Sequence, residues 1–344
     1  MTMHDGVTPG EREAKHWIIT PRGIKCLLCP NQCTLKEGDR SMCHTRIVRN
    51  GKLFTQSYGN PCAIHSDPIE KKPLLHFLPG SLAFSIGTAG CNFACLNCQN
   101  WEISHTSPSQ TSNFDASPEK VVLQAIREQC RSIAYTYSEP TIFFEYMLDT
   151  ATLAKHRGIK NVMVSNGYID QTPLLELCRV IDAANIDLKA FDSGTYLKLT
   201  GGALDPVLKT LKTLRDQGVW IEITNLVIPE WTDNFDQITK MCEWLAEEGF
   251  SDNPIHFSRF HPYQTLASLP STPLHTLTRA KDIAMRAGMK YVYIGNVPGI
   301  GGEDTYCHNC KVLLVKRKGY EIEQNLITSN RCPKCQTVIP GRWH

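Results

Sequence analysis

The chain has 344 residues, and its 36 Lys and Arg residues against 34 Asp and Glu residues give a formal charge of +2. This balance excludes a protein that binds nucleic acid mainly through a strong positive field. The length allows about two domains, and 42% hydrophobic residues suffice for a sizeable core, which excludes global disorder. No segment reaches the roughly 18 uncharged apolar residues of a membrane span, and no apolar signal core follows the first residues. The sequence therefore predicts a cytoplasmic protein without a membrane span.

The sequence contains 15 cysteines, an odd number, so the thiols cannot all form disulfides within one chain. In a reducing cytoplasm, clustered thiols more often bind metal than form disulfides. Most of the cysteines lie in three compact groups, which predicts three metal sites. Cys130, Cys178 and Cys242 stand alone and are interpreted as inert buried thiols, whereas Cys62 lies closer in sequence to the first group.

Residues 1–80 are predicted to form a Cys-rich N-terminal segment that binds metal. Its cysteines follow one another closely: Cys26, Cys29, Cys33 and Cys43. The spacing matches neither a zinc ribbon nor the bacterial ferredoxin pattern. Two interpretations stay open. A zinc ion that folds the segment is slightly favoured, and an auxiliary iron–sulfur cluster is the alternative.

Between residues 81 and 300, apolar β-rich runs alternate with segments of helical period, which indicates βα units and a parallel sheet. The predicted strands cover residues 82–87, 132–137, 161–165, 185–189, 219–228, 255–260 and 291–295. A cap residue followed by proline predicts four helix starts, at Ser117-Pro118, Thr172-Pro173, Asp205-Pro206 and Thr272-Pro273. Gly158, Gly218 and Gly288 are predicted helix ends. Seven strands fit an open or closed barrel whose strand C-terminal ends converge on one face, where we expect the chemistry.

Cys91, Cys95 and Cys98 form a CxxxCxxC motif directly after the first predicted strand. Three thiolates can bind three irons of a [4Fe–4S] cluster and leave the fourth iron without a protein ligand, whereas ordinary electron-transfer clusters have four cysteines. An open iron is a place where a substrate or cofactor binds. A zinc site with a distant fourth ligand is the competing interpretation.

Residues 301–344 are predicted to form a zinc-ribbon-like C-terminal module. Two CxxC pairs, Cys307 with Cys310 and Cys332 with Cys335, enclose a β-rich segment. Four thiolates suit a structural zinc that needs no open ligand position. An electron-relay cluster is the alternative, because four thiolates can also bind iron and sulfide.

The CxxxCxxC loop after a first strand resembles that of the radical S-adenosylmethionine (radical SAM) enzymes. Five segments resemble one subgroup: DPIEKKPLLHFLPGS (67–81), AGCNFACLNCQNWEIS (89–104), AYTYSEPTIFFEY (134–146), NLVIPEWTDN (225–234) and YVYIGNVPGIGGEDTYCHNC (291–310). That subgroup is the AmmeMemoRadiSam-system radical enzymes, relatives of pyruvate formate-lyase activating enzymes. The resemblance implies a partial (β/α)6 barrel of the TIM type and an oxidoreductase-type enzyme.

In the family that the chain resembles, the open iron binds the amino and carboxylate groups of S-adenosylmethionine, and one electron then releases methionine and a 5′-deoxyadenosyl radical that abstracts hydrogen from a substrate. The resemblance implies that Cys91, Cys95 and Cys98 bind the cluster. It also implies a set of residues that bind S-adenosylmethionine: Glu139, Ser165, Asn166, Asp187 and Lys189. Glu139 suits this role because a carboxylate beside an ammonium group makes a charge-assisted hydrogen bond.

No catalytic residue is assigned beyond the cluster. Tyr137, Arg259 and His261 are candidates, because each lies at a predicted strand end and is expected to point into the barrel mouth. Two positions depart from the family pattern. Asn97 replaces the usual aromatic residue before the third cysteine, and Val164 replaces an acidic residue, so we do not predict a monovalent cation.

The leading hypothesis is an enzyme that starts radical chemistry from S-adenosylmethionine on an unidentified substrate. A narrower hypothesis is an activase that abstracts hydrogen from a glycine of a glycyl-radical enzyme. Flavodoxin or ferredoxin is the implied electron donor, and AMMECR-like and Memo-like proteins are further implied partners. A hypothesis of another class is a zinc-rich interaction or nucleic-acid-binding protein that does not cleave S-adenosylmethionine.

Overall fold

The computed structural model describes residues 10–344. The N-terminal part forms two small antiparallel sheets, with strand orders β1-β6-β5 and β2-β3-β4. The strands are β1 (Arg12–Glu13), β2 (Trp17–Thr20), β3 (Gly23–Cys26), β4 (Thr34–Leu35), β5 (Arg46–Arg49) and β6 (Lys52–Thr55). Asn50 and Gly51 both have positive φ and connect β5 to β6 in the two-residue turn that this dipeptide favours.

The main body is one eight-stranded sheet whose neighbours follow the chain order from β7 to β14. Its strands are β7 (Ala63–Pro68), β8 (Leu82–Gly87), β9 (Ser132–Tyr135), β10 (Lys160–Ser165), β11 (Ala183–Asp187), β12 (Trp220–Val227), β13 (Ile255–Arg259) and β14 (Val292–Gly295). Strands β8 to β14 are parallel, and β7 joins β8 antiparallel. All seven predicted strands are present. The sheet is open, because within residues 10–344 neither β7 nor β14 pairs with a strand on its outer side.

Helices connect the parallel strands, as the alternating pattern predicts. They are α1 (Trp101–Ser104), α2 (Pro118–Arg127), α3 (Phe144–His156), α4 (Gln171–Cys178), α5 (Ser193–Thr200), α6 (Leu204–Asp216), α7 (Phe235–Glu247) and α8 (Leu274–Arg286). Single 3-10 turns cover Ile69–Lys71, Pro108–Gln110, Pro140–Phe143 and Gln264–Leu266. The arrangement is that of a partial (β/α)6 barrel with a seventh parallel strand.

The helix ends are confirmed more completely than the starts. Gly158, Gly218 and Gly288 have positive φ directly after α3, α6 and α8. Ser117 caps α2, with Pro118 as its first residue. The other starts are wrong by one or two residues: α4 begins at Gln171, α6 at Leu204 and α8 at Leu274. Proline is tolerated throughout a first helical turn, where backbone N–H groups have no partner inside the helix, so its position does not fix the first residue.

The two faces of the sheet pack against different partners. One face meets the helices in the largest core cluster. On the other face, small strand residues such as Ala83, Ala134 and Ala183 pack against Leu74 and Phe77. These two residues belong to residues 69–78, which we call the strap. The strap therefore fills the half of this face that lies near the strand N-terminal ends, and it leaves the C-terminal half open.

A buried carboxylate holds the strap in place. Glu222 of β12 accepts the backbone N–H groups of Leu75 and His76 at 2.9 and 2.7 Å, and its Oε2 lies 2.8 Å from His256 Nε2. These hydrogen bonds and His256 keep the pKa of Glu222 below its usual value, although burial alone would raise it. An ionised Glu222 thus ties the strap to the sheet.

The C-terminal module packs on the strap and on β14. Its strands β15 (Thr305–Tyr306), β16 (Leu313–Lys318) and β17 (Glu321–Asn325) form a third small antiparallel sheet. Its core joins Leu75, Tyr291 and Tyr293 to residues of the module. Arg317 donates from Nη2 to the Leu75 carbonyl at 2.8 Å.

The division into residues 1–80, 81–300 and 301–344 stays a prediction. Its first boundary separates β7 from β8, although these two strands pair with each other in the main sheet. β7 lies before residue 80 and is nevertheless part of the main sheet. The strap also lies before that boundary. The main body therefore includes residues from about 63 onward, because β7 covers the edge of β8.

His76 generates a prediction about acid stability. Its Nδ1 lies 2.6 Å from the Pro340 carbonyl and its Nε2 2.6 Å from the Tyr293 hydroxyl, and burial lowers its pKa from 6.5 to about 4. The unfolded chain therefore binds more protons below pH 6.5, so stability falls as the pH drops from 6.5 toward 4. When the pH is lowered from 7.5 to 5.5, the free energy of unfolding should fall by about 1 kcal/mol less in His76→Gln than in the unmodified protein.

Denaturant unfolding of the metal-loaded protein at both pH values measures this difference. His275→Gln is the matched control, because His275 is exposed on α8. Equal pH dependence in His76→Gln and the unmodified protein would contradict the assignment of a buried neutral imidazole.

Candidate functional site

A pocket of about 480 Å³ opens at the C-terminal ends of the parallel strands. It lies on the same face of the sheet as the strap, farther along the strands. Every parallel strand from β9 to β14 contributes a lining residue at or near its end, as the sequence predicts: Thr136, Val164, Asp187, Thr224, Ser258 and Gly295. The loop after β8 supplies Cys91, Cys95 and Cys98 to the same wall.

The cysteine loop is fixed by backbone hydrogen bonds to neighbouring elements. Ala94 and Leu96 donate to the carbonyls of Thr200 and Leu199 at the end of α5, and Gly90 donates to Ile103 of α1. Gly90 has φ +98°, and a β-carbon there would lie 2.3 Å from the Cys43 carbonyl oxygen. Glycine is thus required where the N-terminal segment crosses the loop.

The central thiols are spaced more widely than the ligands of one metal ion. Within the described part of the chain, a single group of three or more His, Cys, Asp or Glu side chains has all its ligand atoms within 4.8 Å, and it is the C-terminal one. Thiolates on one tetrahedral zinc lie about 3.8 Å apart, because each Zn–S bond is about 2.3 Å. Thiolates of a cluster bind different irons and lie farther apart. The spacing of Cys91, Cys95 and Cys98 therefore fits a cluster better than one zinc ion.

Without a metal, the thiols of Cys91 and Cys95 would stay protonated. Burial raises the pKa of Cys91 well above its usual value, and burial raises the pKa of Cys95 to about 11 even though Lys189 acts in the opposite direction. Metal binding supplies the positive charge that keeps such thiols ionised.

Glu139 follows β9 at the pocket wall and is almost fully buried. Its Oε1 accepts the Thr141 N–H at 2.9 Å and the Ser165 hydroxyl at 2.7 Å, and its Oε2 accepts the Asn166 N–H at 2.9 Å. Burial raises the pKa of Glu139, and these hydrogen bonds oppose the change. The carboxylate therefore joins the end of β9 to the end of β10, which a strand pattern alone does not reveal.

Ser165 and Asn166 are also engaged within the protein. The Ser165 hydroxyl oxygen accepts the Gly167 N–H at 3.0 Å. Asn166 donates from Nδ2 to Asn92 Oδ1 at 2.9 Å, and Asn92 donates to the Tyr168 carbonyl at 2.8 Å. Because Asn92 follows Cys91 directly, Asn166 connects the end of β10 to the cysteine loop.

Asp187 and Lys189 face the pocket side by side, as expected for alternate residues of a strand. Lys189 Nζ donates to Asp187 Oδ2 at 2.8 Å. Burial would lower the pKa of Lys189, but Asp187 and Cys95 outweigh it and the net change is a rise. A protonated ammonium group thus stands beside the cysteine loop.

Tyr137 lines the pocket with φ +70°, and its hydroxyl donates to Asp67 Oδ2 at 2.7 Å. The same carboxylate pairs with Lys71 and with the buried Lys72, at 2.9 and 2.6 Å. Both lysines line the pocket. Sequence reasoning named Tyr137 but missed Asp67, Lys71 and Lys72, which lie in the segment DPIEKKP, where two adjacent lysines follow two acids.

The expectation that Arg259 and His261 point into the pocket is not met. Arg259 donates from Nε to the Thr272 carbonyl at 2.9 Å, and His261 is exposed. Side chains alternate along a strand, so β13 instead presents His256 and Ser258 to the pocket. The sequence signal for His256 was a histidine inside an apolar strand. In the structure His256 is paired with Thr224 of β12, and its Nε2 lies 2.8 Å from Glu222 Oε2.

The C-terminal cysteines form a compact four-thiol site. The Sγ atoms of Cys307 and Cys335 lie 3.6 Å apart, as do those of Cys310 and Cys332. The two halves of the site have the same backbone hydrogen bonds. The Cys307 N–H donates to the Val312 carbonyl, and the Cys332 N–H donates to the Thr337 carbonyl. The carbonyl of each of these cysteines accepts the N–H of the residue four positions later. Glu303 and Tyr320 of this module line the main pocket.

The N-terminal cysteines converge beside the cysteine loop. The Cys26 N–H donates to the Cys33 carbonyl at 2.9 Å, and the Cys43 carbonyl lies against Gly90 of the cysteine loop. Asn31, between Cys29 and Cys33, donates to the Asn92 carbonyl at 2.8 Å. This group therefore lies directly behind the loop that carries the central thiols.

Comparison with known proteins gives one family. Residues 85–252 match the Radical SAM superfamily. An uncharacterised protein of Methanocaldococcus jannaschii is 44% identical over 318 residues, which cover 92% of this chain and 95% of the relative. A pyruvate formate-lyase-activating enzyme of Staphylococcus aureus is 26% identical over 238 residues, or 64% of this chain and 92% of that enzyme.

Solved structures show weaker likeness. A domain of a pyruvate-formate lyase-activating enzyme from Bacteroides vulgatus aligns with TM-score 0.43 and 17% identity, over 48% of this chain and 99% of that one. A radical SAM methyltransferase from Sphaerobacter thermophilus aligns with TM-score 0.49 and 12% identity, over 62% and 66% of the two chains.

The hydrogen bonds of Glu139 generate a stability prediction. In Glu139→Gln the amide keeps one acceptor oxygen and turns an NH2 group toward a backbone or hydroxyl donor. Leaving a buried donor unpaired costs about 1 to 3 kcal/mol, so Glu139→Gln should be destabilised by that amount in denaturant unfolding. Glu119→Gln, on the exposed face of α2, is the control and should match the unmodified protein. Equal stability of the two variants would contradict the role of Glu139 in joining β9 to β10.

Proposed function

The chain belongs to the radical SAM superfamily, and from this we propose that it is an enzyme in which Cys91, Cys95 and Cys98 hold a [4Fe–4S] cluster beside bound S-adenosylmethionine. When bound, the cluster would supply one electron that cleaves S-adenosylmethionine to methionine and a 5′-deoxyadenosyl radical, which abstracts hydrogen from a substrate. The observation that carries the proposal is the number of thiols. Three cysteines line the pocket, and the described chain places no fourth cysteine in its wall.

The charges of the pocket wall support binding of an amino acid group. Glu139 Oε2 accepts one hydrogen bond from the protein, and a carboxylate oxygen has room for a second. It can therefore accept a hydrogen bond from the ammonium group of S-adenosylmethionine. We assign Lys189 to the carboxylate of the same ligand and Asp187 to its ammonium group. Ser165 and Asn166 complete the proposed S-adenosylmethionine-binding set, and the Ser165 hydroxyl and the Asn166 N–H hold Glu139 in place.

Radical chemistry requires that water and competing hydrogen donors be kept out. Glu70, Lys72 and Leu75 line the pocket on the strap side, and Glu303 and Tyr320 line it on the side of the C-terminal module, so these two segments would limit the access of water to a bound ligand. Tyr137, held by Asp67, remains a candidate for contact with the substrate. Arg259 and His261 stay predictions with weaker support, because they lie outside the pocket.

A second candidate function is a glycyl-radical-enzyme activase. The similarity to the S. aureus pyruvate formate-lyase-activating enzyme supports it, and flavodoxin or ferredoxin would then be the electron donor. The similarity leaves more than a third of this chain unmatched, and the broader function is therefore our first proposal. A glycine-radical electron paramagnetic resonance (EPR) signal in a glycyl-radical enzyme incubated with this protein would favour the activase.

We also propose that the chain belongs to the AmmeMemoRadiSam subgroup, with AMMECR-like and Memo-like proteins as partners, on the five ordered segments that resemble it. The C-terminal four thiols are proposed to bind a structural zinc, because their spacing fits one tetrahedral ion. The free thiols of the chain suit a reducing cytoplasm.

Cleavage of S-adenosylmethionine tests the proposed function. Anaerobically reconstituted protein with dithionite should form 5′-deoxyadenosine, measured by liquid chromatography and mass spectrometry. Cys95→Ala should form none, because it removes one of the three thiols, whereas Cys178→Ala at the end of α4 should retain the activity. Absence of product from the reconstituted unmodified protein, or undiminished product from Cys95→Ala, would refute the proposal.

Metal analysis tests the C-terminal site. Cys310→Ser should lower the zinc content by about one ion per chain, because a structural zinc needs all four ligands. The central iron content should not change. Cys178→Ser is the matched control for a cysteine substitution outside the metal groups. Unchanged zinc in Cys310→Ser, or a loss of iron in place of zinc, would contradict the zinc assignment.

A further inference from the structure

The four N-terminal cysteines form a group that the proposed function does not use. Cys26 ends β3, Cys29 and Cys33 lie in the loop before β4, and Cys43 precedes β5. Cys26 and Cys43 are buried, and the other two are half-buried. The Cys26 N–H donates to the Cys33 carbonyl at 2.9 Å, and the Gln32 N–H donates to the Cys29 carbonyl at 3.0 Å. The loop is therefore ordered by its own hydrogen bonds.

These four thiols are spaced too widely to bind one metal ion together. The C-terminal four have all their sulfurs within 4.8 Å, whereas no three of the N-terminal four meet that distance. Yet the segments that carry them lie together. The Cys26 N–H donates to the Cys33 carbonyl, and Arg46, three residues after Cys43, places its Nη1 3.9 Å from Cys26 Sγ. The thiols are thus grouped at a wider spacing than the ligands of one ion, as the central cysteines are, and thiolates that bind different irons require such a spacing.

The backbone gives a second distinction. Each half of the C-terminal site has a cysteine whose N–H donates five residues ahead and whose carbonyl accepts from four residues ahead, with positive φ at Lys311 and Gln336. No such turn surrounds Cys26 or Cys29. The Cys26 N–H instead donates seven residues ahead, to Cys33. The N-terminal loop is wider than the turn that holds two ligands of a zinc ribbon.

Buried donors surround the N-terminal thiols. Arg46 is fully buried, its Nη1 lies 3.9 Å from Cys26 Sγ, and its Nη2 pairs with Glu145 at 2.8 Å. Its Nε has no acceptor among the described residues. The hydroxyls of Ser41 and Thr45 lie 3.0 and 3.2 Å from Cys43 Sγ. The Ser41 hydroxyl and the Arg46 guanidinium are able to donate to thiolate sulfurs, and such donors stabilise the net negative charge of a thiolate-bound cluster and tune its potential.

From this spacing, loop geometry and set of donors, we infer that Cys26, Cys29, Cys33 and Cys43 bind a second iron–sulfur cluster of the [4Fe–4S] type. This replaces the slight preference for zinc that the sequence alone gave. Four thiolates leave no iron open, which is the arrangement of a cluster that transfers electrons and does not bind substrate. It lies against the central loop, through Asn31 with Asn92 and Cys43 with Gly90.

The experiment isolates this site by removing the central one. The triple variant Cys91→Ala, Cys95→Ala, Cys98→Ala, reconstituted with iron and sulfide without oxygen, should hold about four irons and four sulfides per chain. Its Mössbauer spectrum should be that of a [4Fe–4S] cluster. After reduction, its EPR signal should not change with S-adenosylmethionine, because no iron is open. Adding Cys29→Ala and Cys33→Ala should remove the iron, whereas adding Cys178→Ala should not.

Absence of iron and sulfide from the triple variant, with or without additional zinc, would overturn the inference. Iron in the triple variant that persists after Cys29→Ala and Cys33→Ala would overturn it as well. The result does not depend on turnover. A triple variant that holds the cluster, beside an unmodified protein that forms no 5′-deoxyadenosine, would refute the proposed function alone.

Discussion

The C-terminal ends of parallel strands lie at one edge of a sheet, so the loops that follow these strands supply the residues of the pocket. The loop after β8 brings Cys91, Cys95 and Cys98 to the wall, while the other cysteine groups are held elsewhere. The N-terminal group lies behind the loop, where Gly90 leaves room for the Cys43 backbone, and the C-terminal group lies in its own module. Three cysteines therefore line the pocket, although the chain has 15.

Two buried carboxylates hold the surroundings of that site. Glu222 ties the strap to the sheet at the closed half of the barrel, and Glu139 ties the ends of β9 and β10 together at the open half. Each is compensated by hydrogen bonds from backbone N–H groups. A buried polar group is tolerated only when it is hydrogen-bonded in this way. The two carboxylates therefore hold backbone segments that border the pocket.

Much of the fold could be predicted, because it rests on local patterns. The seven parallel strands follow from apolar runs of five to ten residues between helical segments, and Gly158, Gly218 and Gly288 mark helix ends because they adopt positive φ. The convergence of Glu139, Ser165, Asp187 and Lys189 follows from strand ends in a parallel sheet. Their roles as ligands of S-adenosylmethionine remain proposals.

What could not be predicted depends on contacts distant in sequence. The strap is held on the sheet by Glu222, which accepts the His76 N–H although it lies 146 residues away from His76 in the sequence. Arg259 was expected to face the pocket, and the register of β13 turns it away and presents His256. The spacing of the N-terminal thiols also depends on folding, because four cysteines in sequence are compatible with zinc or iron until their distances are known.

The proposed function depends on one iron of the central cluster that stays open for S-adenosylmethionine. Electron–nuclear double resonance of the reduced protein, with S-adenosylmethionine labelled with nitrogen-15 in its amino group and oxygen-17 in its carboxylate, tests it most directly. The Cys29→Ala, Cys33→Ala background removes any signal from the N-terminal site. An open iron that binds the amino and carboxylate groups should give hyperfine coupling from the cluster to both labels. A reduced cluster that shows coupling to neither label would contradict it.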